Sequence, residues 1–130
     1  MIIKLKTNFQ DKRGKILDIY VKSPKDHCSI VTFNKGAIRG NHYHRKSDQF
    51  TFIINGKLLL SSQKIKKNGM LIGKKKEEIL TKNSFVIHKK FHAHAFKALE
   101  KSCILAFANG SRGGKNYDKD TWRLKLPLLK

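Results

Sequence analysis

Gly36-Ala37-Ile38-Arg39-Gly40-Asn41-His42-Tyr43-His44 is the stretch on which the reading of this chain turns. In an extended segment, residues two apart point to the same face. His42 and His44 can therefore send both imidazoles into one cavity, while Tyr43 has the opposite parity. Gly40, without a Cβ, lets another backbone approach closely. Five residues past His44 stands Gln49, at the start of the apolar run Phe50–Ile54. Asn55-Gly56 follows and reads as a hairpin turn into Lys57–Ser61, because both central residues of such a turn need positive φ. About fifty residues beyond His44, His88, His92 and His94 surround the approach to another apolar run, Ala95–Leu99.

The rest of the chain repeats this short, β-like texture. Further strands are expected at Ile16–Val21, Ser29–Phe33, Glu78–Leu80, Phe85–Ile87 and Cys103–Phe107, separated by Arg13-Gly14, Lys35-Gly36, Asn68-Gly69 and Gly73. No window carries a capped helical stripe, and there is no fixed-period repeat. After Gly110 the texture changes: 111–116 reads as a loop, and Asp120-Thr121-Trp122-Arg123-Leu124 as a terminal strand or cover segment. Many short strands at close spacing imply an all-β sandwich or small barrel with one interior. With 130 residues in all, one domain over 1–130 is expected.

Composition narrows the function classes. Hydrophobic residues make up 39%, in runs far too short to span a bilayer, and the first six residues lack a secretory apolar region. Cys28 and Cys103 lie in strand-like runs and read as small buried residues of a reducing compartment. These features point to a soluble, cytoplasmic protein without a membrane partner. The formal net charge is +20, yet only five of the 29 basic residues are arginines. Lysine is a hydrated point charge rather than the planar fork that reads bases. The lysines are also scattered, with the densest groups, around Lys64–Lys67 and Lys74–Lys76, beside expected turns. Nucleic acid is thus not the expected partner, although such a field would attract an anionic small molecule.

The His42-Tyr43-His44 stretch with Gln49 and Gly56 resembles the first motif of the cupins, and Phe85-Val86-Ile87 with His94-Ala95-Phe96 resembles the second. Within that superfamily, 9–17 (Phe-Gln-Asp-Lys-Arg-Gly-Lys-Ile-Leu) resembles the opening of RmlC-like sugar-nucleotide enzymes: the dTDP-4-dehydrorhamnose 3,5-epimerases, the 3,4-ketoisomerases and the cupin domains of capsule-sugar reductases. The resemblance implies a double-stranded β-helix (jelly-roll) fold, commonly paired as a homodimer. It also implies proton transfer next to the ketone of a nucleotide-linked deoxysugar, serving surface polysaccharide synthesis. His42 and His44 would be catalytic; Arg39, Tyr43, Gln49 and His94 would bind substrate. The epimerases place a tyrosine acid after the second motif, and counting from His94 puts Phe107 there, which favours the ketoisomerase pattern of two histidines followed by glutamine. No cofactor is required for that chemistry.

Alternatives stand beside each of these expectations. His42, His44 and His94 could hold a divalent metal, with Gln49 a weak fourth ligand. A cupin-fold binding module without catalysis would need none of this chemistry. Tyr43 either meets substrate or packs between sheets. Gln49 could serve only to fix an imidazole tautomer. His88 and His92 read as additional ligands or as surface residues near the mouth, and His27, beside Asp26, as a surface residue.

Overall fold

The computed structural model describes residues 2–20, 25–110 and 119–130. Twelve strands are formed among these residues: β1 (Ile2–Lys4), β2 (Phe9–Asp11), β3 (Gly14–Ile16), β4 (His27–Phe33), β5 (Ile38–Tyr43), β6 (Gln49–Asn55), β7 (Lys57–Ile65), β8 (Leu71–Thr81), β9 (Ser84–His88), β10 (His92–Ala98), β11 (Ser102–Ala108) and β12 (Trp122–Arg123). Two five-stranded sheets have the orders β1-β9-β6-β11-β4 and β12-β5-β10-β7-β8, and β2-β3 is a separate hairpin. Every pairing is antiparallel. From β4 onward the chain passes repeatedly from one sheet to the other, the winding of a jelly roll. No helix among the described residues is long and apolar enough to cross a membrane.

The interior lies between the two sheets. Phe33, Ile53, Val86 and Ile104 from one sheet meet Leu58, Leu60, Leu80, Phe96 and Ala98 from the other. Strand alternation places them: Thr51 and Ile53 of β6 face inward and are fully buried, while Phe50, Phe52 and Ile54 face outward. That outer face is apolar as well, so it needs a cover. Leu5, Leu17 and Ile19 pack over it, against Phe52, Phe85 and Phe107.

This cover corrects one expected strand. Ile16 closes β3, and Leu17 and Ile19 pack on the aromatic face outside any strand. Their alternation reflects burial against a sheet rather than membership of one; Val21 falls outside the described residues. Asn55-Gly56 is likewise not a hairpin, because β6 and β7 belong to opposite sheets. Gly56, at φ +99°, turns the corner so tightly that a Cβ there would overlap Ser102. The turn expected at Asn68-Gly69 does form, as a hairpin joining β7 to β8. Strand β8 is far longer than Glu78–Leu80, since Lys74–Lys76, expected beside a turn, lie within it. The two cysteines are not buried: Cys28 is exposed, Cys103 is half-buried, and both are free thiols. Each sits on the outward parity of its strand.

Candidate active site

Strands β5 and β10 place the histidines. In their antiparallel register His42 faces His94, but the next pair is Gly40 with Ala95, so Asn41 is an extra residue on β5. Asn41 has φ +56°, the mark of a bulge that re-aims its neighbours. The close approach anticipated at Gly40 is real. At φ +100° a Cβ there would stand 2.7 Å from the His94 carbonyl oxygen and 3.0 Å from Ala95 Cα. The bulge is held from outside by the C-terminal segment: Leu128 N–H and Leu129 N–H donate to Asn41 Oδ1, and Asn41 Nδ2 donates to the Leu129 carbonyl.

The outcome is a knot of four imidazoles. Ring centroids lie 4.9 Å apart for His42 and His44, 4.8 Å for His42 and His94, 5.3 Å for His44 and His94, and 4.5 Å for His88 and His94. All four are buried. His88, left open as a surface residue or ligand, lies at the back of the knot, with Thr51 Oγ1 3.1 Å from its Nε2. Burial, then the neighbouring His44, pushes the His88 imidazole down to about 3. Burial, then His88, also holds His94 well below the ordinary histidine value. His94 Nδ1–H donates to the His92 carbonyl at 3.3 Å, which leaves Nε2 as a lone-pair acceptor; it has no partner among the described residues.

His42, Gln49 and His94 line a cavity of about 310 Å³ between the sheets. Arg39 stands at its mouth, exposed, its Nε–H reaching the Thr32 carbonyl at 3.3 Å and its guanidinium 5.5 Å from the Phe33 ring centre. The opposite wall is mostly apolar (Val31, Phe33, Ile104, Ala106), interrupted by His27 and Ser29 of β4, whose Nε2 and Oγ are 3.1 Å apart. His27 was expected at the surface. It is half-buried instead, because its parity matches Ser29 and Val31 on the inward face.

Two expected site residues are placed differently. His44 does not line the cavity; it is 1% exposed and lies behind Gln49. Its Nδ1–H donates to the Asp120 carbonyl at 2.7 Å, and its Nε2 is 3.0 Å from Gln49 Oε1. The Gln49 amide can accept from or donate to that nitrogen by turning over. Its own Nε2 reaches Thr51 Oγ1 at 3.4 Å. Tyr43, proposed as a substrate contact, points out of the cavity side and packs with Ile65, Ala93, Ala95 and Leu128 beneath the C-terminal segment. Phe107 also faces away, edge-on to Tyr20 at 5.2 Å on the outer aromatic face.

Asp120 was read only as part of a cover segment, and it organises the site. Its carboxylate accepts from Arg45 N–H, Lys46 N–H, Ser47 N–H and the Ser47 hydroxyl, at 2.8–3.1 Å. Burial works to raise this carboxyl, but those hydrogen bonds outweigh it and hold it below the usual carboxylate range. One residue thus clamps the turn after His44 with its side chain and orients the His44 ring with its carbonyl.

A jelly roll with a His-x-His on β5 registered against a histidine on β10 has the fold of the RmlC-like cupins. The chain belongs to the polysaccharide biosynthesis C-terminal domain family, whose model matches residues 9–121. The fold is similar to that of the dTDP-4-dehydrorhamnose 3,5-epimerase of Sulfolobus tokodaii (23% identity, TM-score 0.75, covering 92% of this chain and 73% of that one). It is equally similar to the 3,4-ketoisomerase QdtA of Thermoanaerobacterium thermosaccharolyticum (19%, 0.75, 96% and 88%). The capsular polysaccharide assembling protein CapF of Staphylococcus aureus is also similar (20%, 0.66), and this chain covers 94% of its own length but only 33% of CapF. No curated protein matches the sequence.

Proposed function

We propose that this chain is a sugar-nucleotide isomerase or epimerase acting on a dTDP-4-keto-6-deoxyhexose in the synthesis of a surface polysaccharide. The observation that carries the reading is the single cavity onto which His42, Gln49 and His94 all open, with Arg39 at its mouth. Folds of this kind have been captured with dTDP-4-keto-L-rhamnose in a Legionella pneumophila epimerase and with TDP-4-keto-6-deoxyglucose in the ketoisomerase QdtA.

The chemistry follows from the placement. A ketone acidifies the neighbouring C–H, and His42 takes that proton. The Gln49 amide, steadied by His44, donates to the enolate oxygen. His94 Nε2, held neutral, accepts from a sugar hydroxyl. Arg39 pairs with the diphosphate. With Phe107 turned away, Ser29 backed by His27 is the protic pair on the far wall, and it returns a proton to the other carbon or face. His44 and Asp120 act as positioning residues. The test is deuterium incorporation beside the ketone of dTDP-4-keto-6-deoxyglucose in D2O, followed by NMR. Incorporation is expected with the wild type and lost with His42→Ala; no incorporation by the wild type sinks the proposal.

A second reading is favoured by one observation: the ligand atoms of His42, His44 and His94 all lie within 4.8 Å of one another. Three neutral imidazoles suit a divalent transition ion, and the unpartnered His94 Nε2 is an atom such an ion would take. Binding would draw His44 Nε2 from Gln49, and among the described residues no carboxylate joins the three imidazoles to offset the charge. The bound ion would act as a Lewis acid toward the carbonyl oxygen. Stoichiometric zinc, iron or nickel in purified protein, absent from His42→Ala, supports this reading.

The assembly we propose is a homodimer paired through a sheet edge, in the cytoplasm. Edge strand β4 turns Ile30 outward, 69% exposed, apolar surface that a second copy would cover, and two free thiols suit a reducing compartment.

A further inference from the structure

The β7–β8 hairpin departs from what the inner face of a sandwich requires. Leu80 pairs with Leu58, and both belong to the core. Two and four residues back along the same face of β8 come Glu78, paired with Leu60, and Lys76, paired with Ser62. Inward positions of a packed sheet carry apolar groups, and here they carry charge. The sheets cannot close over it, and a second cavity of about 500 Å³ opens on the seam between β1–β9 and β7–β8.

Lys64, Lys74, Lys76 and Lys89 line this cavity together with Ser62, and Glu78 is the carboxylate among its lining residues. Lys89 lies 3.7 Å from Asp48; among the described residues Lys64, Lys74 and Lys76 have no ion pair. Three ammonium groups against one nearby carboxylate leave a concave field that is net positive. At the floor is His88, whose ring lies 4.5 Å from His94 on the wall of the first cavity. The two cavities therefore stand back to back, two imidazoles apart.

We propose that this second cavity is an anion site that takes a phosphate or diphosphate group. Several mobile ammonium donors with a hydroxyl around one hollow suit a compact, multiply charged, many-oxygen anion, for which lysine acts as a point-charge partner. The volume lies within the range of small-molecule sites. The inference goes beyond the isomerase reading, and its test reads binding rather than turnover.

Inorganic pyrophosphate is titrated calorimetrically at an ionic strength of about 0.05 M, into the wild type, into the double variant Lys64→Gln/Lys76→Gln, and into Lys57→Gln/Lys101→Gln, which removes equal charge outside both cavities. The expected result is binding by the wild type, weakened by about tenfold or more in the first variant and nearly unchanged in the second. Backbone amide shifts in the wild type should cluster at Gly73, Lys74, His88 and Lys89, a readout independent of how the variants fold. A parallel titration with dTDP separates the sources. Equal weakening of dTDP marks the diphosphate of a nucleotide as the occupant, and unaltered dTDP binding marks the free anion. Absence of pyrophosphate binding, equal loss in both variants, or shifts centred on Arg39 and His42 overturn the proposal.

Discussion

Lowering the pH from 7.5 to 4.5 should destabilise this protein through its buried histidines. In the fold the His88 imidazole is held down at about 3, by burial first and then by His44, whereas in the unfolded chain it titrates near the ordinary histidine value of 6.5. Between those values the unfolded state binds the extra proton, so stability rises with pH across this window and is complete above 6.5. For His88 alone the loss is about 1 kcal/mol at pH 5.5 and about 3 kcal/mol at pH 4.5. His94, shifted in the same direction, adds to it. Asp120 contributes only lower down, because its depressed carboxyl loses its advantage as pH falls below the ordinary aspartate value. Urea unfolding at 25 °C, followed by circular dichroism at pH 7.5, 6.5, 5.5 and 4.5, measures the slope. His88→Gln keeps an acceptor for Thr51 but does not titrate, so its profile should be shallower by the His88 share. A flat wild-type profile, or an equal slope in the variant, would refute the claim that these imidazoles are buried and neutral.

Other consequences are equally open to measurement. Asp120→Ala removes the acceptor for three backbone N–H groups and the Ser47 hydroxyl; it should cost about 3 kcal/mol in urea unfolding and lower kcat with little change in KM, and a fully stable, fully active variant would contradict the clamp. Gly40→Ala sets a Cβ against the backbone of His94 and Ala95 at positive φ; a loss of about 2–4 kcal/mol is expected, and an unchanged unfolding midpoint would show that β5 and β10 do not approach so closely. Ser29→Ala should slow turnover by about a hundredfold or more while deuterium exchange beside the ketone continues, since His42 is untouched. Loss of exchange together with turnover would move Ser29 to a different role.

Much of the fold is legible residue by residue. Ser29–Phe33, Phe50–Ile54, Ala95–Leu99 and Cys103–Phe107 alternate β-branched, aromatic and small residues between turn glycines, and strands β4, β6, β10 and β11 stand there. The meeting of His42 and His94 is legible too, from spacing two on one strand and from the motif likeness on the other. Strand β8 was hidden because its lysines read as a solvated turn. His88 was left open between a ligand and a surface residue because the apolar run Phe85–Ile87 ends one residue before it, although its parity matches the inward Val86.

Local sequence, then, decides where this chain extends, where it turns and which side chains share a face, because those depend on φ/ψ preferences and a two-residue period that neighbours along the chain enforce. It does not decide which face meets the other sheet. Tyr43 and Phe107 point away from the cavity and His27 points into it, since each orientation depends on what the opposite sheet, the N-terminal cover or the C-terminal segment brings to that surface. The hold on His44 is further from reach still. It comes from a backbone carbonyl 76 residues away, and a carbonyl group, which every residue possesses, leaves no mark in a sequence until the chain has folded around it.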